Sequence, residues 1–550
     1  MLRIGLMLDS FSVDAWIAKL IDDIQASDFA TVSLIILNTP QERPRLSLRK
    51  RIKAHWQKTA YVRYSEWDYH RNRGADDSHA QVDLSEKLAR VQVLQVKPLR
   101  KGFTDRLEAA DVEAVRAADL DVMFRFGFRI VRGEILDAAR YGVWSFHHDD
   151  NLEYRGGPPL FWEIYEENPV SGTILQRLTD SLDGGRVLYR GHSSTNLASL
   201  YLNRNPIYWK TAEYALRRLR ELDRHGYQFI ESLPTYNEPN NYSRGIYRAP
   251  HTAQMAAFMA RKVGRGLRGR WRHAMGRVRP QWFFAIRKRS AENRYDSAKG
   301  YAIVRPPQDR FYADPFLFVR DGKTFLFFED FRYADERAMI SCAELDSDGR
   351  LGEIFEVVRR PYHLSYPFVF EHEGEIYLIP ESLENQTVEL YRAHNFPHDW
   401  KLESVLLEGI HAVDATIFQR DGKWWMFAGI SNGKYSNNDE LGIFYAADLK
   451  EPWIAHPKNP VVSDVRRARP AGALFYDGDK LIRPSQDCGK AYGYALNFSE
   501  VLVLNEHEYE ERIIGRIEPG WVKGNLGTHT YTHTDHFEVI DGNFAANPRR

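Results

Sequence analysis

Residues 144–159 read WSFHHDDNLEYRGGPP, and bring two adjacent histidines, three acids and an Arg-Gly-Gly turn into one short stretch. Downstream, SGTILQRLTDSLDGGRVLYRG (171–191) adds Asp183 in a Leu-Asp-Gly-Gly turn. A histidine at a strand end, with a carboxylate to orient its imidazole and raise its pKa, suits general acid–base chemistry. Two other readings stand beside it, a metal site and a polar loop. His147 and His148 are neighbours at the end of an extended segment, so their side chains point to opposite faces. One ion is not easily held by both, and no metal is expected.

The elements around this stretch alternate in type. LRIGLML is a buried strand, and VDAWIAKLIDDIQAS is an amphipathic helix with Trp16, Leu20, Ile21 and Ile24 at helical spacing. VSLIILN is a second strand, followed by a polar, basic excursion over residues 40–90. DVEAVRAADLDVMFRFGFRIV and EILDAARYGVWSFH each read as helix then strand. The pattern predicts a doubly wound α/β domain over residues 1–235, with ligands beyond the carboxyl ends of its strands. GVWSFH runs into its polar loop at such an end.

Residues 305–550 read differently. ADPFLFVRDGKTFLFFED (313–330), SYPFVFEHEGEIYLIPES (365–382), VDATIFQRDGKWWMFAGI (413–430) and PAGALFYDGDKLIRPSQD (470–487) share a strand, a tight turn and a second strand. THTYTHTDHFEVID (528–541) is a shorter fifth copy. Asp-Gly and Glu-Gly turns are hairpin chemistry. Five copies at roughly fifty-residue spacing predict a five-bladed β-propeller. The whole is thus a multidomain chain, α/β plus all-β. His529, His533 and His536 in the last copy leave open a zinc site or a closing strand that lines a cavity.

Between the two domains, residues 236–304 read as a basic linker. From Arg261 to Arg289 there are eleven Lys or Arg and no acid. Met255, Met259, Val263, Leu267 and Trp271 recur every four residues, with arginines mostly opposite. That is an amphipathic helix suited to an anionic surface, or an apolar face that docks on a neighbouring domain.

Taken together, residues 142–188 resemble the core of the folate-dependent formyltransferases, and the resemblance covers about residues 85–225. SFH (145–147), YRGGPP (154–159), SGTI (171–174) and LDGG (182–185) fall in that family's order. The resemblance implies His147 as the catalytic histidine, Asp183 as its partner carboxylate and 10-formyltetrahydrofolate as the one-carbon donor. Ser145 stands where the family has an oxyanion-binding asparagine. The resemblance further places Phe126, Gly127, Phe128 and Arg129 in the folate-contacting loop. Asp149 stands where the family usually has a small or neutral polar residue, and as an added carboxylate could repel a folate tail or bind an amino-sugar ammonium; with Arg155 it is a candidate for the acceptor. The repeats resemble glycoside hydrolase families 43 and 32, and the segment from QWFFAIR to RFYADPF resembles the propeller of glucosamine inositolphosphorylceramide transferases. That likeness implies Asp314, Glu381, Asp414 and Asp487 as sugar-facing carboxylates.

The bulk numbers narrow the class. Lys plus Arg equals Asp plus Glu at 75 each, so no net field points to nucleic acid. Cys342 and Cys488 cannot build a disulfide framework, and no apolar run is long enough to span a membrane. The expectation is a cytoplasmic formyltransferase, peripheral at the inner membrane face if the basic helix binds lipid. Its acceptor would be an amino sugar, a nucleotide-sugar or a glycolipid. A propeller glycosidase, and a non-catalytic glycan-binding protein with a degenerate formyltransferase domain, remain the alternatives.

Overall fold

Strand β1 (Leu2–Leu8) is buried along almost its whole length, as the centre of a covered parallel sheet must be. The structure, a computed structural model, describes residues 1–39, 48–181, 185–233, 245–274, 279–290 and 294–546. It divides into two units, Met1–Val263 and Gly264–Arg550.

In the first unit, α1 (Ala15–Ala26) buries Trp16, Leu20, Ile21 and Ile24, the stripe that its spacing predicts. β2 (Ala30–Asn38) pairs parallel with β1. The basic excursion contains a long helix, α2 (Leu48–Asn72), whose period in sequence is masked by its many charges. Then follow β3 (Gln92–Val96), α3 (Ala109–Ala117), β4 (Val122–Arg125) and β5 (Val143–His147). The helix expected before β5 is a single 3-10 turn, Glu134–Asp137. After α4 (Trp162–Glu166) come β6 (Val170–Arg177), β7 (Arg186–Ser194) and α5 (Leu200–His225).

The seven strands run in the order β7-β6-β5-β4-β1-β2-β3. β1 to β5 are mutually parallel; at one edge β6 pairs antiparallel with β5 and β7 pairs antiparallel with β6. Met7 lies opposite Arg125, and Arg125 opposite Ser145. This register brings the carboxyl ends of β1, β4 and β5 together, so Asp9, the 126–129 loop and His147 share one edge of the sheet.

The Arg-Gly-Gly turn is held as a strand. Arg155–Gly156 pairs with Ile246–Tyr247. Gly156 has φ +103°, and a Cβ there would overlap the Tyr247 carbonyl. Gly156→Ala is therefore expected to destabilise the first unit by about 1–3 kcal/mol, read as a lowered urea midpoint.

The basic amphipathic helix is present, as α6 (Thr252–Ala274). Its first half docks Met255 and Phe258 against Tyr64 of α2 and Phe161, and Arg261 stacks on the Tyr165 ring. Val263 and Leu267 are exposed.

In the second unit, four antiparallel four-stranded sheets begin at Arg310, Ser365, His411 and Phe475. A further sheet joins Arg279–Lys288 to Phe537–Ala546, with Ala302–Val304, Asn525–Gly527 and Tyr531–His533. Residues 279–288, which the sequence suggests as linker, are thus a strand inside the second unit. Its Arg287 is buried in an ion pair with Glu538.

The repeat has a conformational signature. Asp321–Gly322, Glu373–Gly374 and Asp421–Gly422 all have positive φ at both positions, the type I′ hairpin turn. Asp314, Tyr366 and Asp414, one from each of the first three copies, also have positive φ, at 49°, 46° and 54°. In all three strands the pairing register shifts at that residue. Such a bulge re-aims a side chain at the strand end, so the repeat sets three side chains in equivalent places.

Candidate functional site

His147 ends β5 with its Nε2 3.2 Å from the Tyr154 carbonyl and 4.0 Å from Asp149 Oδ2. A carbonyl only accepts, so in the neutral ring this nitrogen carries the hydrogen and Nδ1 is the basic one. His148 points the other way, as the alternation of an extended chain requires. It is buried, stacks on Tyr208 at 3.7 Å and meets Thr211 Oγ1 at 3.2 Å. Burial holds its imidazole well below the usual range, which marks it as a neutral core residue.

Ser145 is buried, and its hydroxyl accepts from Arg125 Nε at 3.0 Å and Nη2 at 2.8 Å. The serine in the asparagine position therefore comes with a guanidinium. Burial lowers the Arg125 pKa while Asp9 opposes the shift; the group remains a cation. Arg125 is a site residue that sequence reasoning missed. Its only signal is an arginine between two phenylalanines where a buried strand ends.

The 126–129 loop is held from within. The N–H groups of Phe126 and Gly127 donate to Met7 O, that of Phe128 to Asp9 Oδ1, and that of Arg129 to Asp105 Oδ2. A Cβ on Gly127 would lie 2.5 Å from the Asp9 backbone nitrogen, so only glycine fits. The Phe126 ring packs between Trp16, Phe124 and Phe146, in the core rather than at a ligand. Arg129 donates to the Gly102 carbonyl. With every N–H turned inward, the carbonyls of Phe126, Gly127 and Phe128 accept no hydrogen bond among the described residues. A pterin ring presents an amide N–H and an amine, which need such acceptors. The loop backbone, not its side chains, fits the folate donor.

Asp149 is buried, and its Oδ1 accepts from Leu160 N at 2.7 Å. It stands behind His147 and does not face an acceptor, contrary to the sequence expectation. Asp150 pairs with Arg190 and with His192 at 3.0 Å. Arg155 lies in the short strand beside Ile246. Asp183 lies outside the described residues.

The second unit gathers carboxylates. Asp314 Oδ1 accepts from Thr530 Oγ1 at 2.7 Å. Asp541 takes the backbone N–H groups of His529 and Thr530, and its other oxygen lies 2.5 Å from His529 Nδ1. Trp282 stacks on His529 at 3.9 Å. Asp414 receives Arg469 through two nitrogens, at 2.6 and 3.1 Å, and Gln486 at 2.9 Å. Glu381 accepts from Ser365 Oγ at 3.0 Å and Leu383 N at 2.7 Å. Glu329 lies 3.4 Å from His363.

These groups feel one another. Burial, with Asp314, Glu381, Asp414 and Asp541 nearby, drives the Glu329 carboxyl well up. Burial raises Asp314 to about 6, with His529 opposing and Asp414 adding. Glu381 is pushed up to about 7 by burial and then by Asp414. Burial disfavours the charged His529 ring, yet Asp541 and Asp314 outweigh it and raise its pKa.

Three of the four carboxylates inferred from the repeats thus belong to one cluster. Asp487 does not join it; its partners are Arg516, at 2.8 Å, and Gly489 N. The three histidines do not converge either. His533 packs on Phe475 and Tyr531, and burial lowers its pKa to about 4, while His536 is exposed. Glu329, Arg469, His529 and Asp541 complete the cluster. Their pairing spans sequence separations that no local motif reports.

Glu381 carries a pH prediction. Its pKa is raised on folding, so the folded chain binds this proton more tightly than the unfolded chain. Its contribution to stability therefore falls as pH climbs from about 4.5 to about 7. Glu381→Gln is expected to stabilise the second unit at pH 8, by about 3 kcal/mol at most, and to have little effect at pH 5. Thermal midpoints of the variant and the parent at the two pH values test this.

Residues 303–539 match the family model of the N-terminal region of glucosamine inositolphosphorylceramide transferase 1. Glucosamine inositolphosphorylceramide transferase 1 of Oryza sativa subsp. japonica is 37% identical over 205 residues, covering 36% of this chain and 27% of its own. The methionyl-tRNA formyltransferase of Caulobacter sp. (strain K31) is 37% identical over 82 residues, covering 14% of this chain and 26% of its own. The chain thus spans about a quarter of the length of these curated relatives. Among solved structures, a family 117 glycoside hydrolase of Zobellia galactanivorans aligns with a TM-score of 0.32 at 13% identity, covering 48% of this chain and 91% of that one.

Proposed function

We propose that the chain is an N-formyltransferase for an amino sugar carried on a glycolipid or glycan precursor. The first unit transfers the one-carbon group from 10-formyltetrahydrofolate, and the second, a five-bladed β-propeller, recognises the carbohydrate. The observation that carries this reading is the edge where β1, β4 and β5 end. There His147, with a carboxylate behind it, stands two residues from Ser145 on β5, whose hydroxyl is held by Arg125 of the neighbouring β4.

Formyl transfer needs two things from the protein. The amine must lose a proton as it attacks, and the tetrahedral oxyanion must be stabilised. His147 takes the proton at its basic nitrogen. Arg125 supplies the positive charge next to the Ser145 hydroxyl, which compensates for the missing asparagine amide. The donor, when bound, brings the activated formyl group. The carbonyls of the 126–128 loop would hold its pterin.

The partial likeness to a methionyl-tRNA formyltransferase supports the donor side. The relatives matched by residues 303–539 have glucosamine and inositolphosphorylceramide in their names, which supports an amino sugar on a glycolipid as acceptor. For the blades, support comes from the repeated hairpins and from the sheet that joins residues 279–288 to 537–546. The buried carboxylates, ringed by Trp282 and Tyr492, suit a sugar's hydroxyls and ring face.

The test is a turnover assay with 10-formyltetrahydrofolate and a panel of glucosamine-bearing acceptors, free, nucleotide-linked and lipid-linked. Release of tetrahydrofolate that depends on an amino sugar, with an N-formyl product by mass spectrometry, is the expected result. Glycosidic cleavage of the same acceptors without formylation would contradict it.

A further inference from the structure

We propose that α2 and α6 together form a surface that docks on an anionic lipid bilayer. The inference goes beyond the proposed function, and adds to it the place where a lipid-linked acceptor would be met.

Charge carries the first part of it. The chain as a whole is neutral, with 75 Lys or Arg against 75 Asp or Glu. Yet α2 holds seven Lys or Arg and two acids, and α6 holds six and none. One of the two acids, Asp68, is buried and accepts from Ser199 Oγ at 2.7 Å and Tyr201 N at 2.8 Å, so its charge is used inside the fold. An excess of this kind in a neutral chain makes a local field of one sign, which attracts an anionic partner.

Packing brings the two helices together. The Tyr64 and Phe258 rings meet with centroids 5.2 Å apart. Lys262 Nζ donates to the Tyr64 hydroxyl at 2.9 Å and lies 3.4 Å from Asp68 Oδ1. The basic stretch of 261–289 is thus not one surface. Its end, 279–288, is a strand of the second unit, whereas its helical start is joined to α2, which is remote in sequence.

Apolar groups carry the second part. Trp67 is 48% exposed and stands among the cations, with Arg71 and Lys262 each 5.6 Å from its ring centre. Val263 is 55% exposed, and Leu267, one turn further along α6, is 60% exposed. Docking within the protein accounts for Met255 and Phe258, which pack with Tyr64 and Phe161, but not for Val263 and Leu267. An indole and aliphatic side chains set among cations have the composition of an interfacial helix. The cations meet lipid headgroups, and the apolar groups enter the boundary beneath them. A nucleic acid would answer the charge, but its phosphates give Val263 and Leu267 nothing to contact.

Co-sedimentation of the full-length protein with vesicles is the test. Phosphatidylcholine vesicles with and without phosphatidylglycerol are compared at low and at physiological salt. Binding to the anionic vesicles, weak on the neutral ones and reduced by salt, is the expected result. The double variant Arg71→Gln, Arg268→Gln should lower the partition coefficient by about tenfold, since each removes a cation from the surface. Trp67→Ser with Leu267→Ser should lower it by about tenfold as well, through the apolar area lost. No binding to anionic vesicles at low salt, equal binding to both kinds of vesicle, or full binding by either double variant would overturn the inference. Binding to polyuridylic acid without binding to vesicles would overturn it too, and would assign the surface to nucleic acid. All four positions are exposed, so the fold should be kept. Circular dichroism and thermal midpoints check this, and if one double variant fails to fold, the other decides together with the salt dependence. The vesicles carry no amino sugar and the assay no folate. Absent formyl transfer with intact vesicle binding would therefore sink the functional reading and leave this one standing, and turnover of a free amino sugar without vesicle binding would do the reverse.

Discussion

His147→Ala is expected to lower kcat for the proposed formyl transfer by about 10²–10⁴-fold, equivalent to ~3–5 kcal/mol of barrier. In the proposed reaction the imidazole carries the proton that the attacking amine must lose; His192, on β7 at the same end of the sheet, is committed to Asp150 at 3.0 Å. His148 is stacked on Tyr208 and bonded to Thr211 in the core, so it cannot substitute. The donor should still bind, because the loop carbonyls that fit a pterin belong to the 126–128 backbone. A variant that binds folate but does not turn over is thus the expected phenotype. Single-turnover measurement with saturating donor separates the two steps. Loss of folate binding in step with activity would mean that the substitution damaged the pocket, not the chemistry.

The second large effect is in the carboxylate cluster. Arg469→Ala should destabilise the second unit by about 3–5 kcal/mol, the penalty for leaving a buried charge without its partner. Arg469 meets Asp414 through two nitrogens, and the Asp414 carboxylate is almost wholly buried. Once the guanidinium is removed, Asp414 faces Asp314, Glu329 and Glu381 with the Gln486 amide and the more distant His529 ring to answer its charge. The double variant Arg469→Ala, Asp414→Asn should recover a large part of the loss. Denaturant unfolding of the two variants measures it. Equal destabilisation of the single and the double variant would show that packing, not charge, gives the arginine its weight.

Much of this architecture can be read from short-range patterns. The Asp-Gly and Glu-Gly turns announce the hairpins because a type I′ turn needs positive φ at both residues, and few pairs supply it. The Trp16, Leu20, Ile21 and Ile24 stripe announces α1 for the same local reason. His147 is legible because a polar strand end is abnormal in a buried sheet. By contrast, α2 is hidden because its charges obscure a helical period, though Tyr64 and its neighbours reach the core. The strand at 279–288 is hidden because its partner is 537–546, and nothing local marks a pairing across that distance. The site's charge pairs fail in the same way. Asp150 with His192, Asp414 with Arg469 and His529 with Asp541 are joined by the fold alone. Asp149 even reads as an acceptor contact until burial is seen, since a run of His-His-Asp-Asp gives no sign of which carboxylate turns inward.

Folate binding decides the proposed function. Calorimetric titration of the full-length protein with 5-formyltetrahydrofolate, a stable analogue of the donor, tests it most directly. Micromolar binding, retained in His147→Ala and weakened when Gly127→Ala displaces the loop, is the predicted result. No heat of binding at millimolar ligand would contradict the formyltransferase reading and turn attention to the carboxylates of the second unit.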